Sequence, residues 1–202
     1  MKAPLLSAER LIAAANAFLG LGEEPRGGWR GAMVECFLRE VRVARADARR
    51  APWHTAFIHH AGFWSHFDHT AGHSIWPLPA TDSAPALAAY ALLHGVLREA
   101  PEVGDLFLLK SRARRRFVRA GIVVRIIGDG FWPNGGCFHE CVTIEANTSE
   151  TLAAGGRILM HSRRFSPAVG DRFVHWTALE ARASHAEVAD FQERAAPKRR
   201  AA

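Results

Sequence analysis

Apolar positions along this chain change their period once, and that change divides it. Up to about residue 94 they recur at helical spacing; beyond residue 103 they come in short runs of alternating or β-branched residues separated by turns. Ser7 can cap a first helix over residues 7–19, with Leu11, Ile12, Ala15, Phe18 and Leu19 on one face and Gly20 and Gly22 closing it. After a Glu-Pro-Gly loop, Val34, Phe37, Leu38 and Val41 predict a second helix over residues 31–43. Cys36 falls inside it and reads as a packed core or boundary residue. Pro52 and Trp53 then deliver His54 to the start of a third, apolar helix. Residues 74–79 are extended, and Asp82 or Ser83 caps a fourth helix to about His94.

The second half predicts strands at 103–109, 117–127, 141–145, 157–161 and 172–176, with Asp129-Gly130 as a turn. Helices first and an antiparallel meander second define an α+β domain. It is expected to span residues 1–176, followed by a C-terminal extension, 177–202, with a helix over 178–191 and a basic end.

Three chain-wide properties narrow the function. A net charge of +6 and a pI near 10 favour polyanionic partners, and the loop Lys110, Arg112, Arg114, Arg115, Arg116 concentrates the charge, echoed by Lys198-Arg199-Arg200. No apolar run approaches the roughly 18 residues of a membrane span. Glu9 and Arg10 interrupt the N-terminal apolar patch before a secretory signal forms, so a cytoplasmic protein, or one released by a signal-independent or phage route, is expected.

Candidate chemistry is sparse. The three cysteines are too few for a disulfide framework. Cys137, His139 and Cys141 share one face of a strand but diverge by about 7 Å per step, too far to hold one ion. His66, His69 and His73 would share a face only on a continuous helix, which Gly72 opposes. Neither set is assigned a metal, and no cofactor is expected.

Four segments in order carry a resemblance. Trp53-His54-Thr55-Ala56-Phe57 resembles the Trp-Cys-Ala-Ala-Phe helix start of the CHAP amidohydrolase/peptidases, a papain-like group related to NlpC-type cell-wall peptidases. Val103-Gly104-Asp105-Leu106-Phe107 is similar to their Pro-Gly-Asp-Val-Phe. Arg119-Ala120-Gly121-Ile122-Val123 is similar to their His-Val-Gly-Ile-Val, and Thr143-Ile144-Glu145-Ala146-Asn147-Thr148 to their Thr-Ile-Glu-Gly-Asn-Thr.

The resemblance implies a papain-like fold and a peptidoglycan amidase or endopeptidase in which a cysteine attacks, a histidine holds the proton, and Glu or Asn orients the base. Here His54 and Arg119 stand at the cysteine and histidine positions, while Glu145 and Asn147 keep the orienting ones. An imidazole does not replace a thiolate, and arginine stays protonated. The expectation is therefore a catalytically degenerate relative whose cleft binds a glycan-peptide fragment or a protein partner, with Arg119 and Glu145 ion-paired where base and orienting acid would meet. The rivals are a hydrolase using displaced residues such as Cys137 or Cys141, and a structural subunit docked through the basic loop.

Overall fold

The computed structural model describes residues 6–23, 31–43, 52–148 and 156–181. Within them lie helices α1 (Ala8–Asn16), α2 (Ala32–Glu40), α3 (His54–Ser65) and α4 (Ala84–Leu93). The strands are β1 (Phe67–Asp68), β2 (His73–Ser74), β3 (Leu97–Arg98), β4 (Leu106–Ser111), β5 (Arg116–Phe131), β6 (Cys137–Thr148), β7 (Arg157–Phe165) and β8 (Arg172–Val174). All pairings are antiparallel; β1 and β2 form a small hairpin, and the main sheet runs in the order β3-β8-β4-β5-β6-β7. The α+β architecture expected from the change of period is therefore present.

Helix α3 organises the interior. Apolar residues recur on every side of its first turns, which are buried almost all round while Trp64 in the last turn is exposed: Ala56, Phe57, Ile58 and Ala61 are sealed, and Gly62 leaves room for Trp76, whose ring would lie 2.3 Å from an added Cβ. Helices α1, α2 and α4 pack with α3 over one face of the sheet, meeting Leu106, Leu108, Ala120, Ile122, Ile144 and Ala146. Side chains alternate along strands, so the residues between these point the other way. There Phe107, Val123, Cys141, Phe165 and Phe173 form a second, smaller cluster.

Several expectations need correction. Asp129-Gly130 is not a turn: β5 runs on through it, pairing Asp129 with His139 and Gly130 with Phe138, and the reversal comes at Trp132–Gly136, closed by Gly135 N–H to Trp132 O at 2.8 Å. Gly130 is needed because the Phe138 ring lies over it, 2.5 Å from where a Cβ would stand. The third helix stops at Ser65, so His66, His69 and His73 share no helical face; His73 lies in β2, after a turn in which Gly72 takes φ +71°. His66 is buried and its Nε2 accepts from the Ser7 N–H at 2.9 Å, which ties α1 to the end of α3. Residues Trp176–Ala181 form a 3₁₀ turn in place of the start of an α-helix, and Leu179 is buried in the main core. The rest of the expected 178–191 helix and the basic end lie outside the described residues.

Segment 20–23 runs along the outer edge of β7. Gly20 N–H donates to Ile158 O at 2.9 Å, Ile158 N–H to Leu21 O at 2.8 Å, and Glu23 N–H to Gly156 O at 3.0 Å. Glu23 then accepts from Trp53 Nε1 at 3.1 Å, fixing the residue that precedes α3.

Candidate functional site

His54 opens α3, as the Pro-Trp lead-in predicts. Trp53 is fully buried against Phe37, with ring centroids 6.1 Å apart, and offers no side-chain cap. The first turn of α3 also holds no acidic residue. The positive end of the helix is thus not neutralised by its own sequence. His54 is only 4% exposed, and among the described residues its buried Nε2 has no hydrogen-bond partner, nor has the Thr55 hydroxyl beside it. Burial first, and the Arg119 guanidinium second, push its pKa from 6.5 to about 4, against a smaller opposing pull from Glu145. His54 is therefore a neutral imidazole at physiological pH.

A cleft of about 550 Å³ opens beside it, lined by Pro52 and His54 from the start of α3, residues 82–85 at the start of α4, and Arg114, Arg116, Phe117 and Val118 from the β4–β5 turn and β5. Two helix amino ends and two arginines surround this space, and both features favour negative charge. The one acid on the wall, Asp82, has its pKa raised by burial.

Arg119 and Glu145 form the expected ion pair, with the guanidinium 3.3 Å from Oε2. Its position is a surprise. Glu145 shares its face of β6 with Thr143 and Cys141, and Arg119 shares its face of β5 with Gly121 and Val123. The pair consequently sits on the side of the sheet facing away from α3, while His54 lies on the helix side; they interact electrostatically but line different spaces. Glu145 is fully buried and closely bound: Arg163 clamps it through Nε and NH2, the latter at 2.7 Å, and Thr143 Oγ1 donates to it at 2.8 Å. Burial alone would raise this carboxyl, but Arg163, then Thr143 and Arg119, outweigh it and hold the pKa below the ordinary value.

Asn147 lies two residues further along β6, in the left-handed region at φ +56°, within the irregularity between Glu145 and Thr148. Its Oδ1 stands over Gly156, beside the Glu23 carboxylate, where an added Cβ would be 2.6 Å away. It does not line the His54 cleft. Sequence reasoning missed Arg163 as the main partner of Glu145. Only the β6–β7 register, which sets Cys141 against Arg163, could have revealed it.

The remaining candidates separate. Cys137 is exposed at the start of β6; Cys141 is buried, its thiol pushed up to about 11 by burial and then by Asp129 and other acids. His139 Nδ1 pairs with Asp129 at 2.6 Å. Around the β4–β5 turn Arg112, Arg114, Arg115 and Arg116 are all exposed, and Lys110 is half-buried. No helix among the described residues is long and apolar enough to cross a membrane.

Fold and site together define an α+β domain in which the amino end of a buried helix opens into a cleft against an antiparallel sheet. Compared with known proteins, the chain matches no family model, no curated protein and no solved structure.

Proposed function

We propose that the chain is a catalytically degenerate, papain-like relative of the CHAP-type cell-wall hydrolases, and that the cleft at the start of α3 binds a peptidoglycan fragment without cleaving it. The observation that carries this reading is His54: the position suited to an activated thiol holds a neutral, buried imidazole, and among the described residues no sulfur lines the cleft. Glu145, on the other side of the sheet, is bound by both Arg119 and Arg163, so neither it nor Arg119 is free to move a proton. Arg114, Arg116 and the two helix ends suit the carboxylates of a peptide stem.

Purified protein mixed with peptidoglycan sacculi is expected to cosediment without releasing soluble fragments, and the double variant Arg114→Glu, Arg116→Glu is expected to stay in the supernatant. Lysis of the sacculi by the wild-type chain would overturn the reading. Lysis abolished by Cys137→Ser or Cys141→Ser would establish the displaced enzyme instead.

The docking role has one specific support, the run of four exposed arginines at the β4–β5 turn. Recovery of a stoichiometric protein partner that the same double variant loses, with no binding to sacculi, would favour it.

A further inference from the structure

The proposed cleft makes no use of the contact between α2 and α3, where a different chemistry is assembled. Cys36 and Glu40 are one turn apart on α2 and so lie one above the other on a single face. That face meets His60, midway along α3. A sulfur, a carboxylate oxygen and an imidazole nitrogen from these three residues all lie within 4.8 Å of one another.

The carboxylate is held from two sides. Its Oε2 is 2.7 Å from His60 Nδ1, and its Oε1 accepts from Trp64 Nε1 at 3.2 Å. The His60 ring is wedged between Phe18 and Phe37, with centroids 5.2 and 4.8 Å away, and is 7% exposed. Cys36 and Glu40 are half-buried, on the solvent side of the group. An apolar wall therefore stands behind the three donors and water in front.

We propose that Cys36, Glu40 and His60 form a binding site for a zinc-class divalent cation, with three protein ligands and a fourth position open to water or a ligand. Thiolate, imidazole and carboxylate are the three ligand types zinc accepts, with bonds of about 2.0–2.3 Å. A tetrahedral site of that size places ligand atoms roughly 3.5 Å apart, so the widest separation needs to close by about an ångström while the 2.7 Å pair of His60 Nδ1 and Glu40 Oε2 opens to admit the ion. Calcium and magnesium require all-oxygen shells and are disfavoured by the sulfur. The Trp64 indole supplies the outer hydrogen bond that orients a ligating carboxylate. On binding, the Cys36 thiol loses its proton to solvent, so uptake strengthens as pH rises. The cation would staple α2 to the helix whose amino end lines the cleft, and the proposal does not depend on what that cleft binds.

The test uses the full chain, reduced and stripped with chelator, titrated with Co²⁺ as a visible substitute for Zn²⁺. One equivalent is expected to bring up thiolate-to-cobalt charge-transfer absorption in the near ultraviolet, together with the strong visible bands of a four-coordinate ion, and Zn²⁺ should displace both. Cys36→Ser should abolish the charge-transfer band. Glu40→Gln should weaken binding by at least about tenfold, and Cys137→Ser should change nothing. Glu40 is near the surface, so its variant keeps the test interpretable if a core change such as His60→Gln fails to fold. Absence of the band in the wild-type chain, or its persistence in Cys36→Ser, overturns the proposal; loss of the band in Cys137→Ser would place the metal elsewhere and overturn it equally.

Discussion

Lowering the pH should weaken this protein through His54 well before its carboxylates protonate. In the folded chain the His54 pKa is about 4, against 6.5 for an unburied imidazole. Between those values the unfolded chain binds a proton that the folded one refuses, so stability is complete above about 6.5 and is lost as pH falls towards 4. At about 1.4 kcal/mol per pH unit the loss is about 3 kcal/mol, a large part of the 5–15 kcal/mol typical of a domain. With a urea slope of roughly 2 kcal/mol per molar, the unfolding midpoint should drop by about 1.5 M.

The assay is urea unfolding of the wild-type chain and of His54→Gln at a series of pH values from 7.5 to 4.5. His59 has the same direction and a similar pKa, about 4, from burial, and adds its own loss in the same pH range. Asp82 and Asp105, both raised by burial, titrate with the opposite sign. All three are common to both proteins, so the difference between the two curves isolates His54. The glutamine variant should show a shallower loss of stability, by about 1.4 kcal/mol per pH unit below pH 6.5. Parallel curves over the whole range would refute the buried, neutral histidine and the account of the cleft built on it.

Other perturbations discriminate equally well. Arg163→Met should cost about 3 kcal/mol or more in chemical unfolding, because it leaves the sealed Glu145 carboxylate with only the single 3.3 Å contact to Arg119; Arg119→Met, which removes that longer, part-exposed contact, should cost about 1 kcal/mol. Gly104→Ala should lower the melting temperature by several degrees, since Gly104 takes φ +92° and a Cβ there would stand 2.2 Å from the Ala8 side chain. Gly62→Ala should destabilise by at least about 2 kcal/mol by driving a methyl into the Trp76 ring, and the loss should appear in tryptophan fluorescence.

The helical half of the fold was legible because amphipathic spacing and caps are local. Ser7 and Ser83 do accept from Arg10 N–H and Ala86 N–H, and α3 begins at His54. The Arg119–Glu145 pair was also legible, because the resemblance put a cation and an acid at two positions expected to meet. What alternation alone did not reveal is which face of the sheet the helices cover. That depends on register, and the irregularities in β5 at Val123/Arg125 and Ile126/Gly128 shift it without any sequence marker. Beyond them β5 pairs regularly through Asp129-Gly130, a dipeptide that reads as a turn until Phe138 is known to lie over Gly130. The cluster on α2 and α3 was half legible: Cys36 and Glu40 stand at helical spacing, but nothing local indicates that His60 faces them.

Segment 20–23 has a role beyond its own few hydrogen bonds. By occupying the rim of β7 it acts as a guard rail, hiding a row of backbone groups that would otherwise invite a stray strand from a neighbouring molecule. Through Glu23 and Trp53 the same rail is bolted to the lip of the cleft. Loss of that segment's hold on the rim would therefore be expected to show first as clumping in solution.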